Sequence, residues 1–176
     1  DDGTMIRVGY ANQNGHPYRS LSGWLIENAG LTREEMSMQR IRRWVRENPK
    51  RMRELLNTNP NFVFFEERVG MGEADGPLGA QAVPLTPGAS VAVDRRYWKL
   101  GVPFVTEVTQ DNPAMAFARP VIAQDTGGAI RGVIRFDYFW GFGDIAGAQA
   151  GRQKSRAHAW VLVPRGMKPS DIMTAR

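Results

Sequence analysis

Past residue 61 the chain is written in short apolar runs, each cut off by glycine, proline or polar turn formers, and this restricts it to strands in series. The runs are 62–65, 89–93, 102–108, 121–124, 133–138 and 159–163, rich in Val, Ile, Phe and Tyr. β-Branched and aromatic residues at that length fit strands. Several short strands separated by turns point to a small barrel. Between the first two runs, residues 70–79 form a glycine-rich connection of mixed charge.

The first third follows another rhythm. Residues 4–10 read as a strand, and Ala11 to Pro17 is dense in turn formers, with Asn14-Gly15 suited to positive backbone dihedrals. A short helix is expected over 21–28, closed by Gly30. Thr32-Arg33-Glu34-Glu35 has capping-box spacing, and Met38, Ile41, Trp44 and Val45 follow as one helical stripe that should end before Pro49. A third helix begins near Pro49, whose missing amide costs nothing in a first turn, and carries Met52, Leu55 and Leu56 inward. The fold class expected is therefore α+β, mainly β with helices.

With 176 residues the chain can bury a core without a disulfide or metal staple. It has no cysteine, which excludes thiolate metal sites and thiol nucleophiles, and His16 and His158 are too few for a histidine-rich centre. No metal and no cofactor are expected. No run of about 18 apolar residues offers a membrane span, and the start, Asp-Asp-Gly-Thr-Met, lacks the basic-then-apolar pattern of a signal peptide.

The formal net charge of +5 biases the chain toward an anionic partner. Arg33, Arg40, Arg42, Arg43, Arg46, Lys50, Arg51 and Arg53 are concentrated within about two helices, so a basic nucleic-acid module is one reading. Glu34, Glu35, Glu47 and Glu54 are interspersed among them, which favours a solvated, partly paired helical face.

The chemistry concentrates in residues 121–141, which read as strand, glycine turn, strand. Side chains alternate across a strand, so Val133, Arg135 and Asp137 share one face while Ile134, Phe136 and Tyr138 share the other. A carboxyl shielded from water by neighbours such as Tyr138, Phe139 and Trp140 holds its proton more tightly and can donate it near neutrality. Arg135 would oppose that if its guanidinium came close. Asp125, beside Thr126-Gly127-Gly128, is expected to approach Asp137 across the hairpin and to orient it or repel its charge. The plain alternatives are a turn cap for Asp125 and an arginine ion pair for Asp137. Gly127-Gly128 lacks the spacing of a phosphate loop.

At these residues the chain resembles the membrane-bound lytic murein transglycosylase A family. The resemblance runs through Gly9-Tyr10-Ala11, Asn14-Gly15-His16-Pro17-Tyr18-Arg19-Ser20, Met36-Ser37-Met38-Gln39, Val83-Pro84-Leu85-Thr86-Pro87-Gly88 and Ala92-Val93-Asp94-Arg95-Arg96-Tyr97. It continues through Asp125-Thr126-Gly127-Gly128-Ala129-Ile130-Arg131-Gly132 and Phe136-Asp137-Tyr138-Phe139-Trp140-Gly141 to Trp160-Val161-Leu162. Asn61 and Leu21-Ser22-Gly23 depart from the family's pattern.

The resemblance implies the C-terminal part of a double-psi β-barrel over residues 70–165, the helical end of an inserted second domain over 1–69, and a tail over 166–176. Glycan would lie in a groove between the two domains. It also implies non-hydrolytic cleavage of the β-1,4 bond between N-acetylmuramic acid and N-acetylglucosamine, leaving a 1,6-anhydro end. Asp137 would act first as acid and then as base, with Asp125 supporting it and Asp94 stabilising the barrel. Thr126, Gly127, Gly128, Tyr138 and Trp140 would contact the sugars.

The expected partners are peptidoglycan strands and an N-terminal part of the same protein that precedes this numbering, with no nucleic acid. The expected place is the periplasm, at the outer membrane through that N-terminal region. A glycan-binding barrel without activity and a nucleic-acid module are the alternatives.

Overall fold

The computed structural model describes residues 3, 6–72 and 74–174. The chain divides into two compact units, Asp1–Gly70 and Met71–Arg176.

In the first unit, β1 (Val8–Gln13) pairs antiparallel with β2 (Val63–Glu67), and three α-helices and a 3-10 turn lie between them in sequence. Thr4 and Met5, part of the strand expected at the start, lie outside the described residues. β1 also runs further than expected, because Ala11 to Gln13 stay extended past a register shift between Tyr10 and Asn12. The turn is deferred to Asn14. Its side chain donates to the Pro60 carbonyl at 2.9 Å and accepts from the Phe62 amide at 3.0 Å, while Gly15 takes a φ of 75°.

Helix α1 (Leu21–Ala29) is capped by Ser20 and closed by Gly30 in the left-handed region. Helix α2 (Met38–Glu47) starts later than the capping box implied. Thr32 and Glu35 do bond, amide to carboxylate at 2.8 Å, but they close an isolated turn. Ser37 is the cap, extended at φ −147° and accepting from the Arg40 amide at 3.1 Å. A 3-10 turn (Pro49–Arg51) leads into α3 (Met52–Leu56). Leu25, Trp44 and Leu55 form the buried core, with Leu21, Trp24, Ile41 and Val45 packed around it. The basic run is partly paired: Arg40 meets Glu47 at 3.7 Å and Arg51 meets Glu54 at 2.9 Å.

The second unit is a curled sheet of five strands in the order β6-β3-β5-β4-β7. The strands are β3 (Ser90–Val93), β4 (Pro103–Gln110), β5 (Met115–Asp125), β6 (Phe136–Tyr138) and β7 (Arg156–Val161). β3 and β5 run parallel and every other neighbouring pair is antiparallel. All four residues of β3 are buried, which is why the run consists of small residues, apolar apart from Ser90. Val91, Val93, Val102, Phe104, Val121 and Ala123 make the core, and Phe104 meets Trp98 and Phe136 edge-on at 5.0 and 5.1 Å.

Two elements differ from expectation. Helix α4 (Asp144–Arg152) stands where no helix was foreseen; it is rich in Ala and Gly and buries only Ala146, so it carries no apolar stripe to read. The segment expected as a tail contains α5 (Pro169–Ile172), whose Ile172 packs on the core while Met173 bridges to Trp98.

Candidate active site

Residues 121–138 do not form a hairpin. β5 and β6 are separated in the sheet by β3, so the connection after Asp125 crosses the end of β3 before β6 returns along its far edge. Local contacts hold that crossing in place. Thr126 donates its hydroxyl to the Val93 carbonyl at 2.9 Å, Ile130 is buried, and the Trp98 indole donates to the Val133 carbonyl at 2.7 Å. Gly127 lies close under Ile130, whereas Gly128 faces open space.

This topology arranges the three aspartates around Ala92. Asp137 is its partner on β6 and Asp125 its partner on β5. With strands about 4.8 Å apart, the two Cα atoms are separated by roughly 10 Å. The approach of Asp125 to Asp137 across a hairpin is thereby corrected, because a whole strand intervenes. Asp125 instead accepts from the Ala80 amide at 2.9 Å, and so ties the 76–82 loop to the end of β5.

Asp137 sits at the middle of β6, opposite in direction to Phe136 and Tyr138, which pack on the core. Its side chain is 44% exposed. Arg135 donates Nε to Oδ1 at 2.5 Å and Nη2 to Oδ2 at 3.2 Å, and the carboxylate raises the guanidinium's own pKa. Of the aromatics expected to shield this carboxyl, Tyr138 and Trp140 pack with Phe117 in a ring cluster, and the carboxyl itself stays exposed. Asp137 lines a cavity of about 510 Å³ together with Thr106, Val108, Phe136, Tyr138, Gln153 and Lys154.

Tyr138 is the aromatic that points inward, and its hydroxyl donates to the Gly88 carbonyl at 2.5 Å. Trp140 is half-buried, with its indole N–H on Gln153 Oε1 at 2.7 Å.

Asp94 is 1% exposed and fully engaged. Arg96 binds it through Nε and Nη2, the closest contact being 2.6 Å, and the Gly132 amide donates to Oδ2 at 2.8 Å. The Arg96 hydrogen bonds, and then the Gly132 and Arg96 amides, hold its carboxyl far below the usual carboxylate range against the opposing effect of burial. Sequence reasoning missed Arg96, Gly132 and Ala80 as holders of the site. The Asp94-Arg96 and Arg135-Asp137 spacings were the available signal, since residues two apart on an extended chain share a face.

Gly79 is needed where the 76–82 loop crosses β5. A Cβ there would stand 2.5 Å from the Gln124 carbonyl oxygen and 2.6 Å from the Leu85 side chain. Gly79→Ala is expected to destabilise the protein by about 1–3 kcal/mol, the range for overpacking. Urea unfolding checks this, and an unchanged midpoint would contradict it.

Among the described residues, no group of three or more His, Cys, Asp or Glu is placed to hold a metal ion, and no helix is long and apolar enough to cross a membrane.

The curled sheet carries three aspartates at or beside one buried strand, and comparison with known proteins shows which family shares it. The family profile for the MltA specific insert domain matches residues 1–66, and that for the 3D domain matches residues 89–163. A membrane-bound lytic murein transglycosylase A from Escherichia coli K12 is 40% identical over 92% of this chain and 45% of its own length. That from Vibrio cholerae is 37% identical over 92% and 44%.

Among solved structures, MltA from Neisseria gonorrhoeae superposes with a TM-score of 0.83 at 43% identity, covering 94% of this chain and 42% of that one. E. coli MltA with bound chitohexaose gives 0.77 at 38% identity, covering 91% and 48%. The chain belongs to the membrane-bound lytic murein transglycosylase A family, and its second unit is part of that family's double-psi β-barrel. It spans about half the length of the curated relatives it matches.

Proposed function

We propose that the chain carries the acid/base centre of a peptidoglycan lytic transglycosylase, with Asp137 as the proton-transferring residue. The observation that carries the reading is a carboxylate on the edge strand β6, open to a cavity and, among the described residues, tied only to an exposed arginine, in a member of this family. In this reading residues 70–165 contribute the C-terminal part of the catalytic barrel and residues 1–69 the end of the inserted domain.

The chemistry needs one carboxyl in two states. A glycan entering the cavity would meet the Asp137 carboxyl directly, and the exposed tie to Arg135 is worth little. The protonated carboxyl donates to the oxygen that links the two sugars as its bond to C1 of the muramic residue breaks. The hydroxyl on C6 of the same residue then attacks C1, and the carboxylate takes its proton. The nucleophile belongs to the substrate, so no second carboxylate is needed to activate water. This differs from the two-carboxylate arrangement of most glycosidases, and the neighbour of Asp137 across the strand is Ala92.

Asp125 supports the loop behind the site, and Asp94 fixes the crossing that delivers β6. Thr126, Gly127 and Gly128 offer backbone and hydroxyl groups to the sugars, with Tyr138 lining the cavity and Trp140 packed against its ring. The enzyme would act in the cell envelope, held at a membrane as the relatives' name states. The test is release of soluble fragments from purified sacculi by the complete protein. Fragments ending in anhydromuramic acid support the reading. Binding without release would indicate a glycan-binding barrel, and salt-sensitive binding to DNA alone a nucleic-acid module.

A further inference from the structure

A second cavity, about 570 Å³ in volume, opens at the end of β3 and is separate in its lining from the one holding Asp137. Three arginines line it, Arg95, Arg96 and Arg131, with Asp94, Tyr97, Thr126 and Thr174. Their charges are not equivalent. Arg96 is neutralised by the buried Asp94, which takes its Nε and Nη2. Arg95 and Arg131 are exposed, and among the described residues neither side chain forms a salt bridge or a hydrogen bond with a protein group. The cavity therefore carries two uncompensated guanidinium groups beside a third whose position is fixed.

We propose that this cavity is a subsite for a carboxylate carried by the substrate. A guanidinium presents a planar fork that matches a carboxylate in two parallel hydrogen bonds, and a pair of such forks in a concave site selects for that anion. The Asp94 pair holds Arg96 rigidly, so its free edge and the Tyr97 ring it covers at 5.7 Å form a preset wall. Thr126 belongs to this cavity and also follows Asp125 in the chain, while Asp94 lies two residues beyond Ala92, the partner of Asp137. At about 3.3 Å per residue, the subsite begins within roughly 7 Å along the strand of the catalytic register.

Given the transglycosylase reading, on which this inference rests, the carboxylates available at that distance are those of the peptides attached to the muramic residues. The cavity would then position peptide-bearing strands and discriminate against bare glycan.

The test uses the complete protein, its Arg95→Gln, Arg131→Gln double variant, and two substrates: peptide-bearing glycan strands and the same strands stripped of peptide by an amidase, with the lactyl carboxylates this exposes blocked as methylamides. The ratio of kcat/KM for peptide-bearing over stripped strands is expected to fall about tenfold or more in the double variant, through KM. An unchanged ratio overturns the proposal, whether both rates fall together or neither does. Calorimetric titration with an acidic tripeptide gives a second readout that needs no turnover. Binding lost in the double variant supports the subsite even if the wild type cleaves neither substrate, the outcome that would sink the transglycosylase reading; no binding to the wild type and no turnover would overturn both.

Discussion

Replacing Asp137 by Asn is expected to lower kcat/KM for strand cleavage by about 10²–10⁴, the range supplied by a positioned acid/base group, while leaving the protein folded. The side chain is 44% exposed and its partner Arg135 is 53% exposed, so the lost ion pair contributes little to stability. The amide is close in shape and cannot give up and recover a proton in the same way. Steady-state cleavage alongside thermal unfolding separates the two effects. A large loss of activity with Tm within about 2 °C of wild type is the expected pair of results; retained activity would remove Asp137 from the mechanism.

Asp94 should behave in the opposite way. It is buried, and its oxygens accept from Arg96 and from the Gly132 amide at the crossing that leads to β6. Asp94→Asn leaves Arg96 without its counter-charge and is expected to lower Tm by roughly 5–15 °C.

The pH dependence follows from the sign of the shift. The folded carboxyl titrates well below its ordinary value of 3.8, so the unfolded chain binds more protons in the acid range and stability rises with pH there. The stabilisation is complete above the ordinary carboxylate pKa and drains as pH falls below it toward the folded value. The Tm gap between wild type and Asp94→Asn should therefore be widest at neutral pH and narrow below about pH 4. Parallel curves down to pH 2 would contradict this account.

Much of the strand content was legible because its code is local. Val91 and Val93 marked β3, Phe104 and Val108 marked β4, and Gly30 marked the end of α1. The order of the strands was not legible. A parallel β3–β5 pair and a β6 that returns on the far side of β3 are long-range choices, and short-range sequence favoured the simpler hairpin. α4 escaped notice for lack of an apolar stripe, and Ser37 was passed over because Thr32-Glu35 offered a more familiar capping pattern.

The candidate site was legible in its residues more than in its geometry. Arg135 and Asp137 were placed on one face by alternation alone, and they meet there. The environment was not legible, since whether Tyr138 turns toward the carboxyl or into the core depends on Val91 and Phe117.

The measurement that tests the central claim most directly is mass analysis of fragments released from purified peptidoglycan in heavy-oxygen water by the complete protein and its Asp137→Asn variant. The account predicts that wild-type fragments end in anhydromuramic acid, one water lighter than hydrolysis products and free of the heavy isotope, and that the variant releases almost none. Fragments with labelled reducing ends would show that water is the nucleophile and would contradict the account.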